Sequence, residues 1–159
     1  MRVLVGDEKR VAEGFMHVAL SACGDSLCLS SQSGCVIVSK GIVIGTGSNS
    51  PPGNVPIERC VKDEWPAYFR SDRSCCVHAE ERAILDAVRH HPDEVRGSTL
   101  YYIRMKKGQR VLAGAPYCTI CSKLALDVGI TEFVLWHENG IIAYTGDEYN
   151  VLSFAHPPK

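Results

Sequence analysis

Only four residues join the last two strands that the sequence predicts, and this short connection strongly constrains the fold. Residues 132–136 and 141–145 are rich in β-branched, aromatic and other apolar side chains, which favour strands. Residues 137–140 between them are too few to hold the crossover helix that parallel neighbours need. We therefore predict that this pair of strands forms an antiparallel hairpin.

The other predicted elements alternate between helices and strands. Hydrophobic residues at helical spacing predict three helices, at residues 8–23 with Asp7 as N-cap, at 79–90 and at 119–128. Apolar and β-branched runs predict a hairpin at 34–39 and 42–47 and a strand at 99–105, followed by a loop at 106–115. This order predicts an α/β domain with helices against the faces of one mixed sheet of about five strands.

Length and charge limit the classes of function. The chain has 159 residues, of which 45% are hydrophobic, and this is the size of one compact domain spanning 1–159. Its 17 basic and 18 acidic residues do not favour a dedicated nucleic-acid or membrane surface. The apolar run within residues 1–10 is too short for a signal peptide, and no run is long enough for a transmembrane helix. We therefore predict a cytoplasmic protein without a membrane partner.

Two short motifs carry the candidate chemistry. His78 and Glu80 stand at the start of the second predicted helix, and Cys118 and Cys121 stand at the start of the third. Cysteines three residues apart in a first helical turn point to one side, and helix N-termini favour their thiolate forms. One histidine and two thiolates leave a fourth zinc position for water, as in catalytic zinc sites. Glu80 is suited to take a proton from that water.

Each motif alone is a weak signal. An isolated His-x-Glu is usually chance, and an isolated Cys-x-x-Cys can be redox-active or simply buried. Together, with a predicted strand between them, they match the zinc-deaminase pattern in which the glutamate is acid and base rather than ligand. We predict one catalytic Zn²⁺ per chain, bound by His78, Cys118 and Cys121, with Glu80 as the catalytic residue.

Four segments, at residues 26–38, 45–50, 78–84 and 121–130, resemble the cytidine and deoxycytidylate deaminase superfamily. The resemblance covers roughly residues 8–149, and its N-terminal two-thirds are most similar to the deoxycytidylate branch. It implies a three-layer α/β/α sandwich with one zinc per subunit. It also implies homo-oligomers, dimers or higher, whose active sites lie near subunit contacts.

The resemblance also suggests substrate-binding residues. Asn49 stands where family members place an asparagine that bonds the sugar, although an ordinary turn asparagine is the alternative. Tyr117 precedes the first thiolate where the family has proline, and Ala79 lies between the two residues of the histidine motif. We take Asn49, Ala79 and Tyr117 as candidate substrate-binding residues. The closing hairpin, in contrast, is more similar to free-nucleoside cytidine deaminases.

Residues 48–76 contain four prolines and little periodicity, which indicates a long functional loop at a subunit contact or active-site rim. Three arginines there are candidates for holding a phosphate, or they form a solvated face: Arg59, Arg70 and Arg73. Some deoxycytidylate deaminases carry a second, structural zinc, and four cysteines are candidates for one. Their irregular spacing favours buried thiols instead; they are Cys28, Cys60, Cys75 and Cys76.

The predicted function is zinc-dependent hydrolytic deamination of a cytosine nucleotide or nucleoside, of the dCMP or cytidine type, to its uracil form. One alternative in the same chemistry is an RNA- or DNA-editing deaminase, for which the balanced charge gives no support. A purine-base deaminase is another, because the zinc motif does not select the ring. An inactive, zinc-stabilised binding module is the alternative from another class. Glu80 argues against it, since a structural zinc site needs no unliganded carboxylate.

Overall fold

The structure is a computed structural model that describes residues 1–60, 64 and 76–155. A mixed sheet lies between two helical layers. The helices are α1 (Gly6–Ala22), α2 (Ala79–His90), α3 (Thr119–Asp127) and α4 (Gly146–Ala155). The strands are β1 (Arg2–Val3), β2 (Gln32–Ser39), β3 (Ile42–Ser48), β4 (Thr99–Lys106), β5 (Gln109–Val111), β6 (Glu132–His137) and β7 (Gly140–Thr145).

The sheet has the strand order β1-β7-β6-β4-β2-β3, and β5 adds to β4 outside this path. Strands β4 and β6 are parallel, and the other described pairs are antiparallel. The predicted hairpin of the last two strands is confirmed, with Glu132 opposite Thr145 and His137 opposite Gly140. The carboxyl ends of β3, β4 and β6 and the start of β2 therefore lie along one edge of the sheet.

Two hydrophobic clusters fix the layers. Helix α1 covers one face through Ala12, Met16 and Ala19, which pack with sheet residues such as Val36 and Val134. The opposite cluster joins α2, α3 and α4 to the other face, and its buried members include Ala83, Ile84, Leu100, Ala125 and Phe133. The α/β/α arrangement implied by the resemblance is confirmed. Among the described residues, no helix combines the length and apolar character needed to cross a bilayer.

The structure corrects three details of the sequence prediction. Among the described residues the sheet has seven strands, where about five were predicted, because β1 and β5 have only two and three residues and are too short to show a period. Strand β5 lies inside the predicted 106–115 loop. Helix α1 begins at Gly6 with Val5 as N-cap, so Asp7 is not the cap. Its carboxylate instead lies in the first turn, where the helix dipole favours it, and bonds Arg10.

Helix α4 was also absent from the prediction, because its apolar residues surround the helix rather than forming one stripe. Tyr149 is buried against the second cluster, whereas Val151 and Phe154 are 65% and 62% exposed. Such a sequence has no helical period that pattern reading detects. The C-terminal segment therefore becomes a helix through tertiary packing against α3 and β7.

Glycines on β3 allow α2 to approach the sheet closely. A Cβ built on Gly47 would lie 2.3 Å from Ala79 O and 2.4 Å from Ala83 N, distances that backbone atoms cannot tolerate. We expect Gly47→Ala to lower the free energy of unfolding by about 1–3 kcal/mol, because overpacking must displace α2. Thermal unfolding monitored by circular dichroism measures the change.

Gly14→Ala is the control for this prediction. Gly14 lies inside α1, and a Cβ there meets nothing within 4 Å. Alanine favours a helix over glycine by about 1 kcal/mol, so this variant should be unchanged or more stable. Equal stability of Gly47→Ala and the parent protein would refute the close approach of α2 and β3.

Candidate metal centre and active site

The start of α2 is held beside the end of β3 by a two-residue bridge. Ser50 N donates to Val77 O at 3.3 Å, and Val77 N donates to Ser50 O at 3.0 Å. The next residue, His78, is the N-cap of α2, and its backbone N donates to Glu81 Oε2 at 2.8 Å. The side chain of Glu81 thereby satisfies a backbone donor at the helix start, as in a capping box. These contacts fix the backbone from which the His78 ring projects.

Helix α3 positions the two thiols of the second motif. Cys118 is the N-cap, and its Sγ accepts a hydrogen bond from Cys121 N at 3.4 Å. The hydroxyl of Ser122, fully buried, lies 2.9 Å from Asn150 Oδ1 in α4. The helix that the sequence prediction missed therefore helps to hold the thiol-bearing helix in place.

His78, Cys118 and Cys121 lie together. Nδ1 of His78 is 3.4 Å from Cys118 Sγ and 3.3 Å from Cys121 Sγ, and the two sulfur atoms are 3.1 Å apart. All three donor atoms lie within 4.8 Å of one another. Zinc binds nitrogen at about 2.0–2.1 Å and sulfur at about 2.3 Å, so each pair can share one ion. Two thiolates and one imidazole suit zinc, and the donor group fits the predicted cofactor.

The three donor groups shift one another's pKa values. The hydrogen bond with Cys118 raises the pKa of His78 to about 9. The hydrogen bond from Cys121, and then the bond with His78, lower the pKa of the Cys118 thiol to about 4. The pKa of Cys121 is raised well above its ordinary value, mainly because its thiol donates a hydrogen bond to Cys118. These shifts favour a thiolate at Cys118 beside a protonated His78. A bound cation would displace the protons of His78 and Cys121.

Glu80 is a carboxyl group buried beside these donors. Its side chain belongs to the first turn of α2, and the residue is only 8% exposed. Burial raises the pKa of Glu80 to about 7, while the positive charge of His78 acts in the opposite direction. A carboxyl group with a pKa near neutrality can both accept and return a proton. This property fits the acid–base role predicted for Glu80.

Two tyrosines that the sequence analysis did not single out, the buried Tyr149 and the partly buried Tyr102, lie in the electrostatic field of Glu80. Burial and then the charge of Glu80 raise the pKa values of Tyr102 and Tyr149. The Tyr102 hydroxyl is 3.0 Å from Ser33 Oγ, and the ring of Tyr149 stacks on Phe133 with centroids 3.9 Å apart. Only the packing of β4 and α4 on one face of the sheet brings them to the site.

Asn49 lies at the end of β3, next to Ser50, and its amide is directed at the segment before β2. Its Oδ1 accepts from Ser33 N at 2.6 Å and lies 2.8 Å from Ser26 Oγ, while its Nδ2 donates to Ser31 O at 2.9 Å. These bonds occupy both acceptor positions and one of the two amide hydrogens. The side chain thus orders this corner, and its role with a sugar stays a prediction.

The other two substrate-binding candidates differ in exposure. Ala79 is fully buried in the first turn of α2, whereas Tyr117 is 50% exposed beside Cys118. Tyr117 is therefore accessible at the start of α3, and Ala79 offers no side-chain surface. Their roles with substrate stay predictions.

The long-loop candidates are only partly described. Cys28 is half-buried, and Cys60 and Cys76 are buried. Within the described residues, the His78 group is the only cluster with metal-binding geometry. Cys75, Arg70 and Arg73 lie outside the described residues, so the second zinc and the phosphate-binding arginines stay predictions. Arg59 forms an ion pair with Glu64.

Solved structures share this fold. The dCMP deaminase from cyanophage S-TIM5, in complex with dCMP and dUMP, aligns with 78% of this chain and 79% of its own, at 19% identity and a TM-score of 0.56. Cytidine deaminase from Burkholderia pseudomallei aligns with 86% of this chain and 94% of its own, at 14% identity and a TM-score of 0.58. Both likenesses confirm the predicted fold class.

Sequence comparison identifies the family. Deoxycytidylate deaminase from Saccharomyces cerevisiae is 32% identical over 125 residues, which are 76% of this chain. The chain spans 35% of the length of that yeast protein. Residues 9–137 match the family described as the cytidine and deoxycytidylate deaminase zinc-binding region, and this description together with the donor group confirms zinc as the cofactor. The chain belongs to the cytidine and deoxycytidylate deaminase family.

Proposed function

We propose that this protein is a hydrolytic deaminase that converts a cytosine nucleotide of the dCMP type to its uracil form and releases ammonia. The observation that carries the proposal is the position of Glu80. This buried carboxyl group lies in the helix turn that follows His78, beside a donor group suited to one zinc ion. A structural zinc site has no use for such a carboxylate, whereas a deaminase requires one.

In the proposed reaction, His78, Cys118 and Cys121 hold the zinc. A zinc ion bound there would supply Lewis-acid activation by lowering the pKa of water. Glu80 takes a proton from the water that attacks the amine-bearing ring carbon. It passes this proton to the ring nitrogen. It then takes the remaining proton of the added hydroxyl group and passes it to the amine, so that the carbon–nitrogen bond breaks, the carbon–oxygen double bond forms and ammonia leaves. Burial of Glu80 favours this shuttle because it keeps the carboxyl pKa close to neutrality.

The relatives support the choice of substrate. The yeast relative is a deoxycytidylate deaminase, and the phage protein of the same fold was solved with dCMP and dUMP. We therefore propose a small cytosine nucleotide as substrate, in preference to the free nucleoside. The homo-oligomer implied by the sequence resemblance stays a prediction, and so does the cytoplasmic location.

Ammonia release from a substrate panel tests the proposal. Zinc-loaded protein should release ammonia from dCMP at least about tenfold more efficiently, by kcat/KM, than from deoxycytidine or cytidine, because phosphate contacts contribute to binding. Adenosine, guanine and a cytosine-containing single-stranded oligonucleotide complete the panel. Turnover of a purine alone would assign the purine alternative, and turnover of the oligonucleotide alone would assign the editing alternative. Zinc-loaded protein that deaminates none of them would refute the proposal.

A further inference from the structure

Arg82, in the first turns of α2, contacts the chain at the end of β3. Its Nη2 donates to Pro51 O at 3.0 Å and lies 3.3 Å from Ser50 O. Arg82 follows Glu80 by two residues on the same helix. One guanidinium group therefore joins the helix that carries His78 and Glu80 to the turn that follows Asn49.

Ser50 is the centre of this junction. It is only 1% exposed, and it exchanges two backbone hydrogen bonds with Val77, the residue before His78. Its hydroxyl accepts from Leu27 N at 3.0 Å. Three segments of the chain thus meet at residues 49–51, which we call the β3 corner, and Arg82 is the side chain that connects this corner to α2.

The environment of Arg82 indicates more than packing. Its Nε is buried and has no hydrogen-bond partner within the part of the chain that the structure describes. Across those same residues, no carboxylate forms an ion pair with Arg82. Buried donors without partners are rare in native proteins and call for a reason. The two carbonyl contacts at the corner are the interactions that orient the guanidinium.

We propose that Arg82 is a positioning residue for deamination, which fixes the β3 corner relative to the first turn of α2. The corner, which carries the candidate substrate residue Asn49, is then held at a fixed distance from His78 and Glu80. The proposal rests on the proposed function. Without Arg82, the corner would keep the Ser50–Val77 bridge but lose its guanidinium link to α2. The distance between the corner and the first turn of α2 would then vary more, and the site would fit the nucleotide less well.

The first experiment separates positioning from folding. Arg82→Met should raise KM for dCMP about tenfold, change kcat by less than about threefold and keep one zinc per chain, because corner contacts serve binding more than chemistry. Arg82→Lys should have a KM between those of Arg82→Met and the parent protein, since an ammonium group can still donate to one carbonyl. Arg89→Met is the matched control: Arg89 is an exposed arginine in the last turn of the same helix, and KM should not change.

Amide hydrogen exchange supplies a second readout that does not depend on activity. The backbone amides of Leu27, Ser50 and Val77 should exchange faster in Arg82→Met than in the parent protein. In Arg89→Met they should exchange at the parent rate. Unchanged exchange in Arg82→Met would show that Arg82 does not hold the β3 corner. Faster exchange with an unchanged KM would show that holding the corner does not position the substrate. If Arg82→Met lost its zinc and its kcat fell as well, the role of Arg82 would be merely structural. Absence of turnover by the parent protein on every cytosine substrate would instead refute the proposed function, and this result needs no variant.

Discussion

Glu80→Gln is expected to keep its fold and its zinc while losing about 10⁴-fold in kcat. The amide has nearly the same shape as the carboxylate, but it cannot accept a proton and return it. A general acid–base group is typically worth about 10²–10⁴-fold in rate. In the proposed mechanism one carboxyl group serves both water activation and protonation of the leaving amine, so the loss should be at the upper end. Steady-state ammonia release from dCMP, with zinc measured by elemental analysis, checks this result.

Glu94→Gln provides the control for the loss of a carboxylate. Glu94 lies beyond the end of α2 and contacts His91, with 43% of its side chain exposed. This variant should keep kcat within about twofold of the parent, since it touches neither the donor group nor the β3 corner. Parent-like kcat in Glu80→Gln would show that another group transfers the proton, and the proposed mechanism would be wrong.

Cys118→Ala is expected to fail in a different way, by losing the metal. Its Sγ belongs to the three-donor group and also accepts from Cys121 N at the start of α3. Removal of the sulfur therefore takes away a ligand and an N-terminal cap together. Because metal binding contributes to folding stability, we expect zinc well below one per chain and a Tm lower by about 5–10 °C. Elemental analysis and thermal unfolding measure the two effects.

Cys28→Ala is the matched cysteine control. Cys28 is half-buried and lies outside the donor group. It should keep about one zinc per chain and an unchanged Tm. A parent with two zinc ions, of which Cys28→Ala loses one, would instead establish the second, structural site. Full zinc occupancy in Cys118→Ala would show that the metal is held by other residues.

The sequence by itself determined the candidate zinc-binding residues and most of the architecture. His78 and Glu80 are two residues apart, Cys118 and Cys121 are three apart, and helix geometry turns such local spacings into defined directions. The bounds of α2 and the antiparallel final hairpin were also local properties, set by amphipathic period and by a four-residue connection. Features of this kind can be predicted because neighbouring residues decide them.

Only the tertiary structure decided how these parts meet. Strands β1 and β5 and helix α4 form because they pair or pack with distant segments, and their own sequences carry no clear period. The neutral-range pKa of Glu80 comes from burial, which no local pattern reveals. The contact of Arg82 with the carbonyl groups of Ser50 and Pro51 likewise joins residues more than thirty positions apart. Long-range packing produces these features, so they became visible only in the folded chain.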